Sequence, residues 1–88
     1  MVNTLPKESI YTKVDYLELL MESVNGLTPS DVSDIYFDGV SRDSAGHALG
    51  RLKKNGCAAR QRDPDGEYRY WITDRGILKY DYLRSKEE

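Results

Sequence analysis

Apolar residues recur at helical spacing in four stretches of the chain and alternate with polar ones in a fifth. From Thr12 the run TKVDYLELLMESVNG sets Leu17, Leu20, Met21 and Val24 on one stripe, which predicts a helix over 12–25. Thr12 with Asp15 three residues on forms a capping pair at its start, and Asn25-Gly26 ends it. A second helix is expected over 28–37, with Thr28 as N-cap, Pro29 in the first helical position, Asp31 at N3, and Val32, Ile35 and Tyr36 turned inward. The third, over 41–55, has both ends marked, Ser41 as N-cap and Gly56 as a left-handed stop. Its Ala45, Ala48, Leu49 and Leu52 fall at i, i+3, i+4 and i+7, while Asp43, His47, Gly50 and Lys54 project oppositely. A last helix over 74–85 carries Ile77, Tyr80 and Leu83 on one side and Leu78 and Tyr82 on another, more apolar girth than one core contact needs.

The alternating stretch spans 57–72, where CAARQR and EYRYWI are strand-like runs joined by Asp63-Pro64-Asp65-Gly66. Proline presets φ in a tight turn, aspartate bonds the local backbone and glycine supplies positive φ, so a two-stranded hairpin is expected. Alternation groups Ala58, Arg60 and Arg62 on the first strand and Tyr68, Tyr70 and Ile72 on the second, leaving Glu67, Arg69 and Trp71 on the other face. Residues 1–11, with Pro6 and little periodicity, read as an arm under which Trp71 is expected to shelter. Only Asp38 to Val40 separate the second and third helices, which forces a steep crossing of the helix-turn-helix kind.

Helix, glycine stop, arginine-bearing strand, hairpin tip and returning strand, in that order, resemble the second half of a winged helix-turn-helix domain. ALGRLKKNGCAAR is similar to that family's A-L-x-R-L-x-x-x-G-x-x-x-R pattern, and Ile72-Thr73-Asp74-Arg75-Gly76 to its exit from the wing: an apolar residue, Thr, two variable residues and Gly. The likeness covers about residues 12–80. It implies a single α+β, mostly helical domain over 1–88: a three-helix core, a two-stranded wing and a C-terminal helix that Thr73 caps. It also implies that the third helix is the recognition helix, with the second as its support. Two departures stand out. Cys57 and Ala58 replace the large apolar pair usual after the glycine, and Gly46 and Gly50 interrupt the recognition helix, each costing roughly 1 kcal/mol relative to alanine.

Composition narrows the function. With 88 residues, 39% hydrophobic and 32% charged, the chain is expected to hold one soluble domain with one core. No apolar run approaches the roughly 20 residues of a membrane span and MVNTLPKESIY lacks an apolar leader, so a cytoplasmic, non-membrane protein is expected. One cysteine, Cys57, and one histidine, His47, leave no disulfide or zinc cluster, and no cofactor is expected. No nucleophile with a base partner, phosphate loop or dinucleotide pattern is present, so no enzyme is expected.

The net charge of −2 is unevenly spread: residues 42–62 hold six Lys or Arg against Asp43 alone, while both flanking segments are acidic. That segment coincides with the recognition helix and first wing strand. The expectation is therefore a small DNA-binding transcriptional regulator, homodimeric through its C-terminal helix. Ser44, His47, Arg51 and Lys54 enter the major groove of double-stranded DNA, Ser41 and Arg42 hold phosphates at the helix start, and Arg60, Arg62 and Arg69 place the wing. The alternative is a winged helix used for protein recognition, which the acidic total and the two glycines favour.

Overall fold

A computed structural model describes residues 11–87. Helix α1 spans Lys13–Glu22, α2 spans Pro29–Asp31 and continues as a π-helical turn over Val32–Tyr36, and α3 spans Arg42–Lys54. Strands β1 (Ala58–Arg62) and β2 (Tyr68–Ile72) form an antiparallel hairpin, and α4 runs over Asp74–Glu87. Of the expected arm only Tyr11 lies within the described residues, so any shelter it gives Trp71 lies outside them.

The local start signals act as read. Thr12 N donates to Asp15 Oδ2 (2.8 Å) and Asp15 N to Thr12 Oγ1 (3.4 Å), closing a capping box on α1. Thr28 and Asp31 repeat it on α2, where Pro29 occupies a first-turn position without an orphaned N–H. At the end of α3, Gly56 adopts φ +82°. Its N–H reaches Lys53 O (3.0 Å) and Cys57 N reaches Leu52 O (2.8 Å), the double bond of a Schellman stop.

The buried face of α1 differs from the expected stripe. Leu17 and Leu20 are buried, but so are Val14, Tyr16 and Leu19, because α1 packs against α3, α4 and β2 together and needs a wide face. Met21 is exposed, and Val24, 83% exposed, lies beyond the helix, which ends at Glu22 rather than at Asn25. Ser23 leaves helical geometry there, its hydroxyl donating back to Leu19 O (2.7 Å).

The inner face of α2 differs from expectation as well. Val32 is fully buried, but Ile35 and Tyr36 point outward, Ile35 being 67% exposed. In the widened turn Phe37 N donates to Val32 O (2.8 Å), five residues back. That extra residue carries Phe37 inward, where it stacks on Tyr11 (centroids 4.1 Å apart) and meets Tyr16 edge-on (5.0 Å). One large aromatic takes the space the two neighbouring residues were expected to fill.

The hairpin register pairs Ala58 with Ile72, Arg60 with Tyr70 and Arg62 with Tyr68. Gly66, at φ +96°, donates to Asp63 O in the tip. Leu27, expected only as a link, forms a bridge to Tyr70 through two backbone hydrogen bonds of 2.9 and 2.8 Å, which ties the second wing strand to the segment between α1 and α2. The wing then returns through a compact joint. Thr73 Oγ1 donates to Gly56 O (2.7 Å) and accepts from Gly76 N (3.1 Å), while a Cβ on Gly76 would collide with the Cys57 carbonyl. The Thr-x-x-Gly exit thus locks the start of α4 to the end of α3. From there Tyr80 and Leu83 pack on the core, leaving Leu78 and Tyr82 exposed; α4 extends to Glu87, two residues past its expected end.

Candidate nucleic-acid interface

Burial of Ala45, Leu49 and Leu52 turns the opposite face of α3 to solvent. Asp43, His47 and Lys54 stand exposed along it, with Arg42 and Arg51 exposed on its flanks and Ser44 half-buried. Among the described residues Arg42, His47, Arg51 and Lys54 have no ion-pair or side-chain hydrogen-bond partner. Ser41 Oγ accepts from Ser44 N (3.0 Å), which caps the helix and leaves the hydroxyl proton available to an incoming acceptor.

An open cleft of about 340 Å³ separates this helix from the wing. Arg42, Asp43, Gly46 and His47 line one wall, Gly66 to Tyr68 and Tyr70 the other, with Pro29 between. Arg60 is braced beside it: its guanidinium lies 4.0 Å above the Tyr68 ring and donates to the Tyr70 hydroxyl (3.3 Å). That hydrogen bond holds the Arg60 proton more tightly than in a free arginine. Arg62, one pair further out, is exposed and without an ion-pair partner among the described residues.

Arg69 is placed differently. It sits on the other face of the hairpin, where Nη2 pairs with Asp63 Oδ2 (2.9 Å), Nε donates to the same carboxylate and Nη1 lies 4.0 Å from Asp31. The hydrogen bond to Asp63 raises its pKa above the ordinary arginine value. Gly26, at φ +89°, packs so closely against Arg69 and Trp71 that a Cβ would come within 2.6 Å of the arginine stem. Glu67, expected on the same face as Arg69 with no partner assigned, accepts from Ser30 N (3.0 Å) and Ser30 Oγ (2.7 Å). These two residues moor the wing to α2. No local pattern reveals the Glu67 bond, because its partner lies 37 residues away.

The expected site residues therefore fall into groups. Arg42 and His47 line the cleft, and Arg60 is braced beside it on Tyr68 and Tyr70, with Ser41, Ser44 and Arg62 adjoining in chain or register. Arg51 turns toward the start of α1, lining a recess of about 210 Å³ with Lys13, Tyr11 and Tyr16. Lys54 opens onto a different basin at the end of α3. Nothing in the fold demands glycine on this helix: a Cβ at Gly46 would meet Pro29 at an ordinary 3.8 Å, and one at Gly50 would meet nothing within 4 Å. Among the described residues no helix is long and apolar enough to cross a membrane, and no three His, Cys, Asp or Glu side chains gather as a metal would need.

Four helices with a two-stranded wing returning beside α3 define a winged helix-turn-helix fold. The PcaV transcriptional regulator from Streptomyces coelicolor, solved in complex with its natural ligand, is similar in structure, with a TM-score of 0.61 at 23% identity over 90% of this chain and 51% of that one. The chain thus spans about half the length of that regulator, and at this identity the likeness speaks for the fold. No family model and no curated protein sequence matches the chain.

Proposed function

We propose that the protein binds double-stranded DNA as a small, non-enzymatic transcriptional regulator, with α3 in the major groove. The observation that carries this reading is the displayed face of α3, whose cations lack internal partners beside a cleft where the wing holds Arg60 ready. A groove needs a convex element with unspent donors, and α3 supplies His47, Arg51 and Lys54, with Ser44 at its edge. Ser41 and Arg42 meet phosphate at the helix start, and Arg60 and Arg62 meet the backbone along the wing. Arg69 belongs to the mooring of the wing and is left out of the contact set. That a transcriptional regulator shares the fold supports the same reading.

Homodimerisation through α4 accompanies it, since Leu78 (69% exposed), Tyr82 (56%) and Ile77 lie outside the core contact made by Tyr80 and Leu83. Such a dimer reads half-sites about 34 Å apart. Sedimentation showing a strict monomer at tens of micromolar would remove it.

Anisotropy of a labelled mixed-sequence duplex at rising salt tests the DNA reading. Contact with about five phosphates per protomer predicts a log–log slope near −4 to −5. Absence of binding at about 50 mM salt, where such contacts are strong, would transfer the case to protein recognition. The exposed Ile35 and Tyr36 of the π turn are the specific feature favouring that second reading.

A further inference from the structure

At the opposite end of α3 from the cleft lies an open basin of about 850 Å³ between the end of that helix, the start of α1 and the first turns of α4. All the charged residues lining it are cations: Lys13, Lys54, Arg75 and Lys79. They come from three elements far apart in sequence, in a chain with more acids than bases. Among the described residues none of the four forms an ion pair. Arg75 is also positioned by the fold, because its stem lies across Gly56, where a Cβ would sit 3.1 Å from Cδ and 3.5 Å from Nε.

Four cations held around one basin repel each other unless an anion is shared among them. The basin is too broad and open to close around a small molecule, so an extended anion presenting several charges from outside fits it best. Lys54 belongs both to the basin and to the displayed face of α3, which makes the two surfaces continuous. We infer that the basin is a second phosphate-binding surface, on which the DNA backbone flanking the α3 site is seated by Lys13, Lys54, Arg75 and Lys79.

This inference rests on the proposed DNA binding and extends it to the side away from the wing. The test is the same salt titration on a 30-base-pair mixed-sequence duplex, about three helical turns and long enough to reach past the α3 site. A Lys13→Gln, Arg75→Gln, Lys79→Gln variant is expected to lower the magnitude of the log–log slope by about 2 to 3, roughly one per phosphate lost. Lys13→Arg, Arg75→Lys, Lys79→Arg is expected to keep it, as is Lys86→Gln at the far end of α4. Should the triple variant melt non-cooperatively, Lys13→Gln and Lys79→Gln alone are each expected to lower the slope by about 1. An unchanged slope in these charge-removal variants, with wild type binding DNA normally, overturns the basin and leaves the α3 site standing. A wild type that binds no duplex overturns both. Inorganic pyrophosphate serves as the free-anion arm: pyrophosphate binding abolished by the triple variant while its DNA slope stays unchanged assigns the basin to a free anion and overturns the backbone.

Discussion

At its C-terminal end α3 is fixed by several contacts at once. Gly56 turns left-handed, Thr73 bonds its carbonyl, Gly76 approaches the Cys57 carbonyl too closely for any side chain, and Arg75 lies across the turn. On the displayed face of the same helix the fold asks for nothing. His47 and Lys54, with Arg51 on the flank, have no internal partner among the described residues, and glycine stands where alanine would fit. The first region explains itself by folding; the fold leaves the second unconstrained, and the proposed DNA contact is placed there. Two features of one short helix thus separate architecture from recognition.

Substitutions can break that division, and the largest effect is expected at the joint. Gly76→Ala forces a methyl into the Cys57 carbonyl and should destabilise by about 3 kcal/mol, lowering the melting temperature by roughly 12 °C or more. Thr73→Val, which loses the bonds to Gly56 O and Gly76 N, should cost about 1 to 2 kcal/mol in a denaturant melt. A neutral Thr73→Val would mean that the joint is held by packing alone.

Gly50→Ala reverses the sign. It should stabilise by about 1 kcal/mol, and it should weaken duplex binding because the methyl stands between the α3 backbone and the groove. Stabilisation with undiminished binding would show that the groove never comes that close. Smallest in stability, and most informative about the wing, is the pair Arg62→Gln and Arg69→Gln. The first should leave the melting temperature unchanged and reduce the salt slope by about 1; the second should lower the melting temperature through loss of the Asp63 pair. The opposite assignment of effects would place the DNA on the other face of the hairpin.

Caps and stops were legible because they are local. Thr12 with Asp15, Thr28 with Asp31, Ser41, Gly56 and Thr73 each act on residues within a turn, or on the turn their own geometry creates. The π turn was not legible: whether Ile35 and Tyr36 or Phe37 faces inward depends on Tyr11 and Tyr16, which supply the rings that Phe37 meets. Val24 continued a periodicity past the end of the helix, and Met21, inside it, faces solvent because the buried face is wider than one stripe and turned from it. In the functional region the helix stop and the arginines of the first strand were visible, yet the division of labour among those arginines was not. Alternation puts Arg60 and Arg69 on opposite faces, but only the folded hairpin brings Tyr68 under one and Asp63 against the other.

Amide chemical-shift mapping with an unlabelled duplex separates the two regions in one titration. The account predicts that shifts concentrate on Arg42, His47, Gly50, Lys54, Arg60 and Arg62, with smaller ones at Lys13 and Lys79 from the flanking backbone, while Thr73, bonded inside the joint, stays still. Shifts centred instead on Ile35 and Tyr36, or no movement along α3 under conditions where the duplex binds, would contradict it.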